Sequence, residues 1–496
     1  MTLSLSLTAV REALSPLRQR AAALHWGSRE SAGICTPLIP RNRTTGIFPG
    51  VSGGFLCPSL QRRYAGTSSK TQVYHEGLIH TEFTTELNIN KETPVIPIFR
   101  ILTPEGHLEQ GWENPFSKEE TIDMYKFMVR LSVWDNMLYN VQRQGRFSFY
   151  IQNQGEEATQ AGIGKALMPE DHIFLQYREL GVLMMKGFTL EDTLGQLLST
   201  KHDEGKGRQM PISYSKQKIG LHTICTPLTT QVPHSMGAGY AFRLGNEKRI
   251  SVGFFGEENQ VHRGRFAGWL DNGVYVQSVC VLFLDVGAAS EGDFHAAANF
   301  AATLKGNTLL VCRNNGYAIS TPVKDQYAGD GIAIRGISYG MRTIRVDGND
   351  LFASYLATKA ARDIILETQE PVLMEFMTYR VGQHSTSDDS SAYRQPGELE
   401  AWNASGILPI ARVRKYMDQQ GWWSEQEDEA LRKDARTVML AKMKEAEKVK
   451  RWPILEGLFA DVWSHPVDTL EEQKEAFKKH FAAHKDKYNL SKYEGL

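Results

Sequence analysis

Two apolar runs in the middle of the chain each end in residues that could hold a charged ligand. The run 250–255 leads into Gly256-Glu257, and the run that begins at Thr308 leads into Arg313-Asn-Asn-Gly-Tyr317. Mg²⁺ prefers oxygen ligands in near-octahedral geometry, so one carboxylate, one amide and one backbone carbonyl suffice beside phosphate oxygens. The segment 287–293, Gly-Ala-Ala-Ser-Glu-Gly-Asp, adds glycines and a helix start, which suit an anion. These residues predict a site for a magnesium diphosphate, although Asn-Asn-Gly is also a common turn sequence.

A histidine in a polar loop is the second candidate for chemistry. His384 and Ser385 lie in 379–394, Tyr-Arg-Val-Gly-Gln-His-Ser-Thr-Ser-Asp-Asp-Ser-Ser-Ala-Tyr-Arg. A lone histidine is more often structural, but catalytic groups concentrate in such loops, and a pKa near neutrality suits proton transfer. Upstream, Gln176-Tyr-Arg-Glu179 follows the apolar residues 172–175. By composition alone, Arg178 and Glu179 resemble an ordinary solvent-exposed pair.

Short apolar runs alternate with helical stretches from Gly155 onward, which predicts a mostly parallel sheet with helices on both faces. Ligand-binding segments of such sheets lie at the carboxyl ends of strands, where both candidate segments fall. Capping signals predict helices after Ser117, Asp350, Ser424 and Thr469. We expect an extended arm over 65–116, the α/β domain over 117–400 and a helical region over 401–496.

The first 64 residues differ in composition from the rest. They contain arginines at positions 11, 18, 20, 29, 41, 43, 62 and 63, many serines, and only Glu12 and Glu30 as acids. This composition predicts a disordered mitochondrial transit peptide, and the alternative is a basic tail that stays attached. The net charge of −1 argues against a nucleic-acid-binding protein, and no apolar run is long enough to predict a membrane span.

The motifs together resemble one enzyme family, the thiamine-diphosphate-dependent 2-oxo acid dehydrogenases, and within it the branched-chain alpha subunits. The resemblance covers roughly residues 90–490. The stretches that favour the branched-chain group are Asn314-Asn-Gly-Tyr-Ala-Ile-Ser320 and His384-Ser-Thr-Ser-Asp-Asp-Ser-Ser391. The resemblance implies a thiamine-diphosphate-binding fold and oxidative decarboxylation of branched-chain 2-oxo acids in the mitochondrial matrix, with transfer of the acyl group to lipoamide.

The resemblance also implies roles for individual residues. It makes Glu257, Asn315 and Tyr317 the Mg²⁺ ligands, His384 and Glu257 catalytic, and Ser385 a site of inhibitory phosphorylation. The implied K⁺ ligands are Cys225, Pro227, Thr230 and Gln231, although Cys225 replaces the family's usual serine and a thiol is a poor ligand for a hard cation. The implied cofactor contacts are Tyr177, Arg178, Thr226, Leu228, Gly256, Gly287, Ala288, Arg313, Asn315 and His384. We also expect Arg380, Asp388, Tyr393 and Arg394 to order the loop that carries His384.

The family motif is interrupted in this sequence. Gly256-Glu257 and Gly287-Ala-Ala-Ser are contiguous in the family, whereas here residues 258–286 separate them. The segment forms a loop around a re-formed site, or its apolar part 278–284 replaces 250–255 as the strand, or it is an untranslated piece kept in the coding sequence. We favour the third interpretation.

The resemblance implies that a beta subunit supplies the missing half of the site. The two subunits would form a heterotetramer of two alpha and two beta chains on a lipoyl-bearing acyltransferase core, under a possible regulatory kinase and phosphatase. The alternatives are a catalytically silent assembly subunit, a pyruvate dehydrogenase alpha subunit, and a nicotinamide oxidoreductase. The sequence lacks the strand followed by Gly-x-Gly-x-x-Gly that a nicotinamide oxidoreductase would have.

Overall fold

A computed structural model describes Leu87, Ile89 and residues 94–225, 227–256, 288–460, 463–465 and 467–496. The predicted transit peptide, most of the predicted arm, Thr226, Glu257, Gly287 and the segment 258–286 lie outside the described residues. None of the helices in the described part of the chain is long and apolar enough to cross a membrane.

A six-stranded sheet, parallel at every pairing, forms the centre of the fold, with strand order β1-β7-β8-β4-β3-β2. A small antiparallel pair, β5 and β6, follows β4. In chain order the strands are β1 (Ile98–Phe99), β2 (His172–Phe174), β3 (Ser251–Gly256), β4 (Thr308–Asn314), β5 (Tyr317–Ala318), β6 (Thr321–Pro322), β7 (Arg342–Asp347) and β8 (Val372–Met377).

Helices cover this sheet, and further helices follow its last strand in the sequence. In chain order they are α1 (Lys118–Arg143), α2 (Glu157–Ala166), α3 (Leu180–Met185), α4 (Leu190–Leu197), α5 (Gln231–Leu244), α6 (Gly292–Leu304), α7 (Val323–Gln326), α8 (Ala333–Ser338), α9 (Leu351–Thr368), α10 (Glu398–Ala404), α11 (Pro409–Gln419), α12 (Glu425–Ala446), α13 (Ile454–Phe459) and α14 (Asp468–Ala483).

The sheet is covered on both faces, as predicted. Successive side chains of a strand point to opposite faces, and those of β4 alternate between two hydrophobic clusters. Leu309 and Val311 join the larger cluster with α2 and α9, whereas Leu310 and Cys312 join the smaller one with α6. The fold prediction is therefore confirmed, including the helical region that follows β8.

Three of the four predicted helix starts are correct. Ser117 and Ser424 form capping boxes with Glu120 and Glu427, and the Asp350 carboxylate accepts hydrogen bonds from the amides of residues 352 and 353. The predicted cap at Thr469 is wrong, because α14 begins at Asp468, two residues earlier than a cap at Thr469 implies, and its N-cap is Val467. A threonine one position inside the helix cannot serve as the N-cap, since that residue must have non-helical backbone angles.

Candidate cofactor and metal site

The carboxyl ends of β3 and β4 bring the candidate residues together. The two strands are paired in register, with Gly256 opposite Arg313, so the ends of both apolar runs lie side by side. All six residues of β3 and all seven of β4 are buried. The interpretation in which 278–284 replaces the first strand is therefore wrong, because 251–256 occupies the position next to β4.

Arg313 is held between two buried carboxylates. Its Nη1 lies 2.7 Å from Glu156 Oε2 and its Nη2 lies 2.6 Å from Glu179 Oε1. Burial alone would lower the pKa of Arg313, but the two carboxylates outweigh burial and raise it above its ordinary value. The guanidinium therefore stays charged at the end of β4, where we expected it to meet a diphosphate.

Asn315 shares one of these carboxylates. Its Nδ2 donates to Glu156 Oε1 at 2.9 Å, and its Oδ1 lies 3.4 Å from the backbone nitrogen of Tyr317. Gly316, between them, has φ +87°, a left-handed conformation that makes the turn after β4 possible. Two of the three predicted Mg²⁺ ligands thus lie in one tight turn, while the third, Glu257, is outside the described residues.

The segment 176–179 lies against the same strand ends. Gln176 Oε1 accepts a hydrogen bond from the backbone nitrogen of Gly256, and the Glu179 carboxylate accepts from the backbone nitrogens of Gln176 and Tyr177 at 3.2 and 3.0 Å. Arg178 and Glu179 are each 1% exposed, so they are not the solvent-exposed pair that composition suggested. Burial raises the pKa of Glu179, and the nearby Arg313 opposes that shift.

His384 is brought to this segment by its loop. Arg178 Nη2 donates to the backbone carbonyl of His384 at 3.1 Å and lies 3.5 Å from its Nδ1. The rings of Tyr177 and His384 meet edge to face with centroids 6.3 Å apart. The segment 176–179, the end of β4 and the loop of His384 therefore come together. His384 is thus not an isolated structural histidine.

The loop around His384 is ordered by the four residues predicted to do so. Arg380 Nη2 donates to the Tyr393 hydroxyl at 2.7 Å, which donates to Asp388 Oδ2 at 2.6 Å. The same Asp388 oxygen accepts from the backbone nitrogen of His384 at 2.9 Å, and Arg394 Nη2 donates to the carbonyl of Gly382 at 2.9 Å. Ser385, beside His384, is only 5% exposed.

The predicted K⁺ ligands form only part of a ligand set. The Thr230 hydroxyl donates to the Pro227 carbonyl at 2.9 Å, so two of the expected oxygens are adjacent. Gln231 Nε2 donates to the Phe254 carbonyl at 2.9 Å, whereas the Cys225 thiol contacts the Thr223 carbonyl. Leu228 is partly buried in the same loop, and Thr226 is outside the described residues.

Ala288 is tied to the loop that holds the predicted K⁺ ligands. Its carbonyl accepts a hydrogen bond from Thr229 Oγ1 at 3.0 Å, and Ala288 itself is fully buried. It begins the 3₁₀ turn 288–290, which contacts β3 and leads into the start of α6. Such a start offers backbone N–H groups to an anion.

The buried donors at the strand ends fit a diphosphate. Arg313 Nε and Gln176 Nε2 are both buried and have no hydrogen-bond partner among the described residues. A Cβ atom on Gly256 would lie 3.6 Å from Gln176 Nε2 and 3.8 Å from Arg313 Nη2, so the absence of a side chain leaves room for a ligand beside Gln176 Nε2 and the Arg313 guanidinium. Unpaired buried donors are costly unless a partner binds them.

Sequence reasoning missed Glu156, Glu179 and Gln176. Glu156 precedes α2, whose sequence contains Ala158, Ala161, Gly162 and Gly164. Such small residues around a whole helix indicate burial on all sides, and a glutamate at the start of a buried helix needs a cationic partner. That signal was available, but the identity of the partner required the structure.

Comparison with known proteins identifies the family. A family model described as "Dehydrogenase E1 component" matches residues 125–268 and 275–454. The chain belongs to the dehydrogenase E1 component family. The family's fold is a thiamine-diphosphate fold, so the predicted fold and thiamine-diphosphate dependence are confirmed at this level. The interval between the matched ranges, 269–274, lies inside the segment 258–286.

Three curated relatives of this dehydrogenase E1 component share one name, "2-oxoisovalerate dehydrogenase subunit alpha, mitochondrial". The protein of Dictyostelium discoideum is 46% identical over 414 residues, which is 83% of this chain and 87% of the relative. That of Caenorhabditis elegans is 43% identical over 412 residues, 82% and 88% of the two chains. That of Homo sapiens is 43% identical over 400 residues, 80% and 83%.

Proposed function

We propose that this chain is the alpha subunit of a mitochondrial branched-chain 2-oxo acid dehydrogenase. It would catalyse thiamine-diphosphate-dependent oxidative decarboxylation of branched-chain 2-oxo acids and reductive acylation of a lipoyl group. The observation that carries the proposal is the convergence of Arg313 and Asn315 with Tyr177, Arg178 and His384 at one edge of the sheet. The relatives' names support the choice of substrate.

Each residue has a role in this proposal that its surroundings support. Arg313 and Gln176 would donate to the diphosphate, since each keeps a buried N–H without a partner among the described residues. Asn315, the Tyr317 carbonyl and Glu257 would hold Mg²⁺, whose oxygen preference matches this set. Thiamine diphosphate, when bound, supplies the carbon nucleophile and the electron sink for decarboxylation. His384 would exchange protons during acyl transfer, oriented by Arg178 and Asp388.

The partners in this proposal follow from the same resemblance. A beta subunit would complete the cofactor site in a heterotetramer, and the lipoyl-bearing acyltransferase core would receive the acyl group. Residues 1–64 would act as a transit peptide to the mitochondrial matrix.

The oxygens of Pro227, Thr230 and Gln231, with Cys225 nearby, would hold K⁺. A kinase would phosphorylate Ser385, and the added charge of about −1.5 to −2 would stand directly beside His384.

The decisive experiment is an assay of the reconstituted complex. The chain is combined with the beta subunit and the acyltransferase core, with 3-methyl-2-oxobutanoate and pyruvate as competing substrates. We expect turnover of the branched substrate to exceed that of pyruvate. Preference for pyruvate would favour a pyruvate dehydrogenase alpha subunit instead. Absence of turnover with either substrate, together with no calorimetric binding of thiamine diphosphate, would indicate a silent assembly subunit.

The segment 258–286 is tested in the same system. We propose that the working protein lacks it, because it separates Glu257 from Gly287 and contains the break in the family match. Deletion of residues 258–286 should restore or increase binding of thiamine diphosphate. Mass spectrometry of the native protein should find no peptide spanning 266–285, and detection of that peptide would overturn this part of the proposal.

A further inference from the structure

Glu156 connects the predicted metal ligand to the predicted diphosphate ligand. It is fully buried, and its two carboxylate oxygens have different partners: Oε1 accepts from Asn315 Nδ2 at 2.9 Å, and Oε2 binds Arg313 Nη1 at 2.7 Å. Arg178 Nε lies 4.0 Å from Oε1. One carboxylate thus contacts both side chains at the end of β4 that are expected to face the cofactor.

The contact with Asn315 has a chemical consequence. An ionised carboxylate only accepts hydrogen bonds, so the amide of Asn315 must turn its NH₂ group toward Glu156. The amide oxygen then faces away from Glu156. Only this oxygen can bind a cation, because the NH₂ group carries donors alone.

We propose that Glu156 is the positioning residue of the metal site, which keeps the Asn315 amide in the orientation that binds Mg²⁺. This inference rests on the proposed role of Asn315 as a Mg²⁺ ligand. It adds that the orientation of the Asn315 amide is imposed by Glu156, which contacts neither the metal nor the substrate. Partners that orient metal ligands commonly change metal affinity by about 10- to 100-fold when removed.

Glu179 offers a matched control. Like Glu156 it is almost fully buried and binds Arg313, at 2.6 Å, but among the described residues its carboxylate accepts from the backbone nitrogens of residues 176 and 177 and not from Asn315. Replacing either glutamate therefore perturbs Arg313. Only replacement of Glu156 changes the orientation of the metal ligand.

The first experiment compares Glu156→Gln with Glu179→Gln in the assembly with the beta subunit. Glutamine has one acceptor oxygen, which the charged Arg313 retains, so its NH₂ group faces the NH₂ group of Asn315 and turns that amide over. The Mg²⁺ concentration for half-maximal binding of thiamine diphosphate, measured by calorimetry, should rise about 10-fold or more. In Glu179→Gln that concentration, measured with thiamine diphosphate at a saturating level for each variant, should stay within about twofold of the wild type.

The second experiment tests for rescue. Asn315→Asp alone places a carboxylate against Glu156, and like charges at this distance turn the new ligand away. In the double variant Glu156→Gln with Asn315→Asp, the glutamine NH₂ group donates to the aspartate and leaves its second oxygen for Mg²⁺. We expect the double variant to need less Mg²⁺ than either single variant. A merely structural role for Glu156 gives no such rescue.

The outcomes separate this inference from the proposed function. The measurements use the chain form, complete or without 258–286, that binds thiamine diphosphate, and if neither form binds it, both proposals fail. If Asn315→Ala leaves the Mg²⁺ requirement unchanged, the metal site is wrong. If Asn315→Ala raises it but Glu156→Gln does not, or the double variant needs as much Mg²⁺ as either single variant, only the role of Glu156 is overturned. Thermal unfolding checks that each variant is folded.

Discussion

Two neighbouring asparagines, Asn314 and Asn315, each bind a different buried glutamate. We expect the cluster around one glutamate to stabilise the fold and the cluster around the other to bind the ligand. Asn314 Nδ2 donates to Glu375, and Asn315 Nδ2 donates to Glu156, each at 2.9 Å. Both glutamates are fully buried and both bind an arginine. The similarity ends there.

The Glu375 cluster is closed. Its carboxylate accepts from Arg345 Nε at 3.0 Å and from the backbone nitrogens of Ile332 and Ala333 at 2.9 Å each, at the start of α8. Arg345 Nη1 also lies 2.9 Å from Asp330 Oδ2. The Glu156 cluster is open, because Arg313 Nε and Gln176 Nε2 have no partner among the described residues. A satisfied buried network stabilises a fold, whereas an unsatisfied one indicates an absent partner.

The largest expected effect is on the closed cluster. Glu375→Gln removes the buried charge partner of Arg345 and leaves only the more exposed Asp330, which should lower the free energy of unfolding by about 3 kcal/mol. Chemical denaturation measures this loss. The Mg²⁺ requirement for cofactor binding should not change among the molecules that remain folded. A variant with wild-type stability would show that the clusters do not differ as described.

The next effect is on the open cluster. In Arg313→Lys the ammonium group cannot contact both carboxylates and still donate to a diphosphate, because it lacks the planar fork of donors. We expect a loss of about 1.5–3 kcal/mol in binding, on the order of 10- to 100-fold in the Kd for thiamine diphosphate. The control is Arg345→Lys in the closed cluster. It should reduce stability while the Kd stays the same, and an equal loss of affinity in both variants would contradict the comparison.

A smaller effect is expected at the end of β3. Gly256→Ala adds a Cβ 3.2 Å from Gln176 Oε1, beside the unpartnered donors, and should weaken thiamine-diphosphate binding by about 1 kcal/mol. Gly253→Ala on the same strand is the control. Its Cβ would lie 2.9 Å from the Ser235 side chain, far along the strand from the donors, so it should cost stability without changing the Kd measured by calorimetry. A reversed pattern would place the ligand elsewhere.

The sequence predicted the parts of this site that depend on local pattern. Apolar runs followed by Gly256 and by Arg313-Asn-Asn predicted two strand ends, and the capping signals at Ser117, Asp350 and Ser424 predicted three helix starts. It did not predict that Asn314 and Asn315 would belong to different clusters. That outcome depends on which glutamate the fold brings to each asparagine. The partner of Asn314 is 61 positions away in the sequence, and the partner of Asn315 is 159 positions away. Composition also placed Arg178 and Glu179 in solvent, because no local pattern reveals that α2 and β4 bury them.

The last expected effect concerns the pH dependence of stability and a glutamate next to the open cluster. The pKa of Glu157 is raised to about 8, chiefly by burial and also by the charges of Asp135 and Glu156, against a hydrogen bond from the backbone nitrogen of Gly155. Between the ordinary glutamate pKa and about 8, the folded chain keeps a proton that the unfolded chain has lost. Stability therefore falls as pH rises through this range, by up to about 1.4 kcal/mol per pH unit.

Glu157→Gln should remove this dependence, because glutamine has the shape of the protonated acid and does not ionise. The free energy of unfolding of the variant, measured by denaturation between pH 5 and 8, should fall less steeply than that of the wild type. Glu119→Gln, at an exposed position of α1, corrects for the loss of one carboxylate. Equal slopes in Glu157→Gln and the wild type would mean that burial at the start of α2 does not keep a proton on Glu157.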